Sequence, residues 1–96
     1  MAERPITIEN NTAAQRYEAM VDGHRSIIQY RLDGERITFL HTEVPEALEG
    51  RGIGSALARA ALDDARDRRL SVVPLCPFVR EYIRRHPEYE SLVQST

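Results

Sequence analysis

Two Asp-Gly pairs, Asp22-Gly23 and Asp33-Gly34, stand 11 residues apart in this 96-residue chain. Each separates stretches in which apolar and polar residues alternate. Asp-Gly supplies the positive-φ pair of a two-residue hairpin turn, whose twist matches the strands it joins. Tyr17, Ala19 and Val21 alternate with Arg16, Glu18 and Met20 before the first turn, and Ile28, Tyr30 and Leu32 alternate with Gln29 and Arg31 before the second. A third run, Arg36 to Val44, sets Ile37, Phe39, His41 and Glu43 on one predicted face and Thr38, Leu40, Thr42 and Val44 on the other. Pro45 ends it by removing a ladder donor. The ordered part is therefore expected to open with a three-strand antiparallel meander. Residues 1–14, polar and aperiodic, read as a loosely ordered lead-in with one short edge strand at Ile6 to Ile8.

Beyond residue 52 the period changes. Ile53, Ala56, Leu57, Ala60 and Ala61 fall at helical spacing, with Arg59, Asp63, Arg66 and Asp67 opposite them. Ser71 to Leu75, β-branched at Val72 and Val73, reads as a fourth strand, parallel to the third because a helix carries the chain back between them. Pro74 makes that strand short or peripheral. Cys76-Pro77 opens a second helix, Phe78 to Arg85, which stops before His86-Pro87, and a last turn spans Glu88 to Val93. The expected fold is mixed α/β (α+β): antiparallel meander, helix, strand, helix. Residues 1–96 suffice for one core, burying roughly 65% of the unfolded surface, so a single domain is expected.

Composition narrows the function. Hydrophobic residues make up 42% and charged residues 29%, with no apolar run near the ~20 residues of a membrane span. The N-terminus has no basic head followed by an apolar stretch, so a soluble protein of the reducing cytoplasm is expected. A net charge of −2 gives no basic excess for nucleic acid. All 13 basic residues are arginine, which excludes a Schiff-base or phosphate-loop lysine. Cys76, alone, forms no internal disulfide, and nothing has the spacing of a metal site.

Three glycines at alternate positions, Gly50, Gly52 and Gly54, then lead into the first helix. Such spacing weakens helix and strand alike. One reading is an anion site: free backbone amides at a positive helix N-terminus, approached without side-chain obstruction and aided by the Arg51 guanidinium. The other is a tight turn with close helix packing. A dinucleotide fingerprint would need glycine at Ser55, and a nucleotide-triphosphate loop would need Gly-Lys.

Glu49-Gly50-Arg51-Gly52-Ile53-Gly54 resembles the acyl-CoA pyrophosphate loop of the GNAT N-acetyltransferase superfamily, Gln or Arg, two residues, Gly, one residue, Gly or Ala. Glu49 departs from it at the first position. Thr42-Glu43-Val44-Pro45, Pro74 to Val79, Tyr82 and His86 to Tyr89 are similar, in the same order, to the minimal single-domain GNAT-like proteins. The spacing of Cys and His already gives no metal; the resemblance covers Tyr17 to Val93 and implies acetyl-CoA as co-substrate. It implies pyrophosphate on the amides of Gly50, Arg51, Gly52, Ile53, Gly54 and Ser55, with pantetheine along the third strand at Glu43 and Val44. The thioester then falls near Cys76.

Acyl transfer to an amine needs a base, an oxyanion stabiliser and a proton for the departing thiolate. Cys76, at a helix start, is either the residue that protonates the thiolate or takes the acetyl group, or a buried structural cysteine. His41 is the candidate base with Glu43 in reserve, or else a hydrogen-bonded core histidine. Tyr82 is expected in the core, with a role as acid held second; His24 is a turn residue and His86 a helix C-cap. Arg80, Arg84 and Arg85 are expected on a solvated face with Glu81, Glu88 and Glu90. Typical GNAT enzymes wall their acceptor pocket with helices after the first strand; the two-residue turns here leave no room for them, so the resemblance implies an open acceptor side. That suits an amine or protein acceptor at a monomer or weak dimer, or a CoA-binding or protein-interaction module without turnover.

Overall fold

Five strands form one sheet in chain order. β1 (Ile8–Asn11), β2 (Arg16–Val21), β3 (His24–Asp33) and β4 (Arg36–Glu43) run antiparallel, and β5 (Ser71–Pro74) lies parallel to β4. The computed structural model describes residues 6–93, so the first five residues of the expected lead-in lie outside the described residues. The rest of that lead-in is more ordered than its sequence suggests. β1 pairs Ile8 with Ala19 and Asn11 with Arg16, making the meander four-stranded. Its asparagines have partners, since the Tyr30 hydroxyl donates to Asn10 Oδ1 at 2.6 Å and Asn11 Nδ2 donates to Glu18 at 3.3 Å.

The β3–β4 ladder contains a bulge. Gln29 faces His41, whereas Tyr30 faces Phe39, leaving Leu40 without a partner. An extra residue shifts the pleat by one, so the two ends of β4 present opposite parities to the core. Ile37 and Phe39 are fully buried, but after the bulge Thr42 turns inward while His41 and Glu43 are exposed. The predicted single face of Ile37, Phe39, His41 and Glu43 is therefore broken in two.

α1 (Ile53–Asp67) follows a short 3-10 turn at Glu46–Leu48, and α2 (Pro77–Arg85) follows β5; a second 3-10 segment, Pro87–Leu92, ends the described chain. The α1 residues Ile53, Leu57, Ala58, Ala61, Leu62 and Ala65 are buried, a stripe rotated from the predicted one because Ala56 and Ala60 are only half-buried. Alanine on both sides of the helix left its rotation poorly marked. α2 adds Val79, Tyr82 and Ile83 to the same core as Tyr17, Ile28, Phe39 and Val72. Both helices lie on one face of the sheet. The other face is uncovered among the described residues and carries Met20, Arg25, Gln29, Leu40, His41 and Glu43 in solvent.

Candidate functional site

Pro45 ends β4, the 3-10 turn buries Leu48, and Gly50 and Gly52 then adopt φ of +82° and +74°. Left-handed backbone at both positions is readily reached only by glycine. Gly52 is the N-cap of α1 and has no side chain with which to cap it. The first bond of the helix is Ala56 N–H to the Gly52 carbonyl, at 3.0 Å. The amides of Ile53, Gly54 and Ser55 consequently have no acceptor within the helix and sit at its positive end. These residues line a cleft of about 470 Å³ that also reaches Thr42, Val44 and Phe78.

Gly54 has a different reason to be glycine. A Cβ there would stand 2.8 Å from Cζ of Phe78, the ring α2 lays across α1. The tight-turn and close-packing reading thus explains why these residues are glycine, and the bare amides follow from the same geometry. Arg51 is engaged elsewhere: its Nη1 donates to Asp22 Oδ2 at 2.7 Å, tying the loop to the β2–β3 hairpin tip.

The far end of the cleft is where β4 and β5 part. Their pairing stops at Phe39 opposite Pro74, followed by one more bond from Cys76 N–H to the Phe39 carbonyl at 2.9 Å. The Arg80 guanidinium, solvent-exposed as expected, also holds the turn by donating to the Pro74 and Leu75 carbonyls at 3.4 and 3.1 Å. Arg84 and Arg85 are exposed too, paired with Glu81. Cys76 becomes the N-cap of α2 and is 2% exposed, with its Sγ 3.2 Å from Thr42 Oγ1.

His41 does not reach this pair. It neighbours Thr42 in the strand, so its side chain lies on the opposite face, where Nε2 is 3.8 Å from Glu43 Oε2. Tyr82 lines a separate groove between the helices, its ring stacked on His86 at 4.0 Å, and burial pushes its phenol up from the ordinary value. His86 Nδ1 lies 2.9 Å from the Tyr82 carbonyl. A carbonyl only accepts, so Nδ1 carries the proton and His86 caps α2 as expected.

Residues 16–92 match the family described as GCN5-related N-acetyl-transferase. The chain belongs to that family. It is 35% identical over 86 residues to Protein NATD1 of Mus musculus and of Homo sapiens, covering 86% of this chain and 78% and 76% of theirs. It is 28% identical over 89 residues to Protein NATD1 of Danio rerio, covering 88% of this chain and 81% of that one. In fold it superposes on a GCN5-like protein of Staphylococcus aureus, solved in solution by NMR, with a TM-score of 0.72 at 24% identity, over 94% of this chain and 89% of that one. That likeness is one of fold.

Three residues of this candidate site are not apparent from the sequence. The alternating run places Thr42 on the face opposite Ile37 and Phe39, and the bulge that turns it inward leaves no signature in the sequence. Phe78 stood in a recognised motif, but its packing on Gly54 depends on how the helices cross. Asp22 reads from the sequence as a turn residue, although an acidic hairpin tip and a lone loop arginine are complementary charges.

Proposed function

We propose that this GCN5-related chain is an acetyl-CoA-dependent N-acetyltransferase acting on an amine. The observation that carries the reading is the uncapped N-terminus of α1, opening on a cleft that extends to Thr42, whose hydroxyl lies against the buried thiol of Cys76. The amides of residues 50–55 and the Arg51 guanidinium suit a pyrophosphate, with Arg51 exchanging Asp22 for it. Beyond Phe39, β4 leaves β5, and the backbone at Glu43 and Val44 suits an extended pantetheine arm. When bound, acetyl-CoA supplies an activated acetyl group as a thioester.

Cys76 is assigned as proton donor. Its hydrogen-bond partner is the Thr42 hydroxyl; the Cys76 thiol gives its proton to the departing CoA thiolate and regains one after the products leave. The amine nitrogen forms the C–N bond as the C–S bond breaks, and its surplus proton passes to His41 from the open face, with Glu43 beside the imidazole. A second reading, CoA binding without turnover, draws on the burial of Cys76 and on the separation of His41 from it by the strand.

Saturating CoA raises the unfolding temperature of the wild-type protein, and at about 100-fold excess over Kd the gain is about 2.7 kcal/mol. Gly52→Asp carries backbone strain at φ +74°, so its unfolding temperature without ligand is read alongside its affinity, and its charge repels the pyrophosphate. Arg36→Ala, on the strand surface, is the control. Equal affinity in all three proteins would show that the loop is not the phosphate site. Cys76→Ala lowers kcat by about 100-fold at unchanged KM for acetyl-CoA. A broad amine panel without CoA release above background would leave the binding module in place of the enzyme.

A further inference from the structure

A second cavity, about 500 Å³, lies on the uncovered face of the sheet and is lined by Arg16, Arg25, Ile27, Glu43 and the chain through Thr42, Val44 and Pro45. It shares Thr42 and Val44 with the glycine cleft, so the two meet where β4 runs free of β5. Its charges are arranged in a definite way. Glu18, which also accepts from Asn11 Nδ2, takes the Arg16 guanidinium, and the two positive charges at Arg16 and Arg25 hold its carboxyl below the usual carboxylate range. Among the described residues Arg25 itself makes no ion pair. Glu43 stands across the cavity: it faces Ile27, and Arg25 is two residues from Ile27 on the same face of β3. Diagonal neighbours of this kind are roughly 7–8 Å apart. With Arg16 held by Glu18, Arg25 and Glu43 are, among the described residues of the cavity, the cation and anion without a direct opposite-sign carboxylate or guanidinium partner, and they look onto the same space across an apolar floor at Ile27.

We propose that this cavity binds the acceptor, and that the acceptor is a small amino-carboxylic acid. Its carboxylate meets the Arg25 guanidinium, its ammonium meets Glu43, and its hydrocarbon part lies over Ile27. Glu43 and His41 form a pair at 3.8 Å, so the ammonium is held beside the group able to remove its proton. A polyamine or a neutral amine would make no contact with Arg25, and a simple carboxylic acid none with Glu43, so each forfeits one of the two charge-assisted contacts. The inference rests on the acetyltransferase reading for the fate of the amine, whereas the zwitterion site stands on its own geometry.

The test is a titration of the full-length protein with leucine, leucinamide and 4-methylpentanoate, read by amide chemical shifts at Ile27 and Val44, with and without CoA. Leucine is expected to shift both resonances saturably, with each analogue about tenfold weaker, the scale of one charge-assisted contact. Arg25→Gln and Arg25→Glu abolish the preference for leucine over leucinamide, and Glu43→Gln abolishes that over 4-methylpentanoate. The Arg25 variants retain the wild-type response to CoA in thermal unfolding, which separates this site from the glycine loop. Equal binding of the three ligands, or an unchanged preference in the Arg25 variants, overturns the proposal. Loss of CoA binding in the wild type would instead overturn the acetyltransferase reading, because the CoA-free titration is independent of it.

Discussion

Gly54 and Phe78 meet across the two helices, and their contact makes a substitution at either one depend on the other. In the wild type Gly54→Ala pushes a methyl against the Phe78 ring at 2.8 Å, so the ring must move or the helices part. Remove the ring, and the same substitution should be favourable, since alanine exceeds glycine within a helix by about 1 kcal/mol. Urea unfolding of Gly54→Ala, Phe78→Ala and the double variant is expected to show a non-additive cycle, with alanine at position 54 stabilising only when Phe78 is absent. Additive values would mean the ring swings aside without penalty. Ser26 offers a simpler case. It is fully buried with no hydrogen-bond partner for Oγ, so Ser26→Ala is expected to raise stability by about 1 kcal/mol. The glycines, Cys76 and Arg51 could be recognised from their neighbours in the chain. The inward turn of Thr42 could not, because it depends on one unpaired residue in a ladder whose partner strand lies far off in sequence.

At the scale of elements, α1 is held from two sides through adjacent carboxylates. The Tyr89 hydroxyl donates to Asp63 Oδ1 at 2.6 Å from the last 3-10 segment, and Tyr17 donates to Asp64 from β2. Burial, and after it the bond to Asp63, pushes the Tyr89 phenol up to about 12, and burial with the bond to Asp64 raises Tyr17 likewise. Unfolded tyrosine titrates near 10, so the folded pKa lies above the unfolded one. The stabilisation is then complete below about pH 10 and is lost as pH rises through about 12. Denaturant curves at about pH 8 and about pH 11 should show wild-type stability falling, with a smaller fall in Tyr89→Phe. An identical fall in both would place the alkaline sensitivity elsewhere. The sequence marked these elements well where turns or periodicity bound them, as at Asp22-Gly23 and Cys76-Pro77. It misjudged β1, whose asparagines look like loop residues until Tyr30 and Glu18 engage them.

At the scale of the whole molecule, the order meander, helix, parallel strand, helix was readable from alternation, spacing and two turns, and so was the place of the glycine loop between β4 and α1. The sheet's uncovered face was legible only as missing helices, and the meeting of two cavities at the free end of β4 was not legible at all. Both depend on where β4 and β5 separate, which Pro74, Arg80 and the bulge decide together. The clasp between Arg51 and Asp22 links the meander to the helical layer across this region. It also holds the loop guanidinium away from any phosphate. An exposed pair of this kind contributes about 0–1 kcal/mol to stability, so its release costs little in folding. Asp22→Asn keeps a residue that accepts positive φ in the turn while it withdraws the charge that competes for Arg51. Calorimetric titration is therefore expected to show CoA binding tightened by about threefold, within the range of one exposed ion pair, with no more than a small fall in the unfolding temperature without ligand. Raised ionic strength should shrink the difference between variant and wild type, since the clasp is screened. Weaker binding in Asp22→Asn would reverse the assignment, making the hairpin tip a brace that holds the loop open for its ligand.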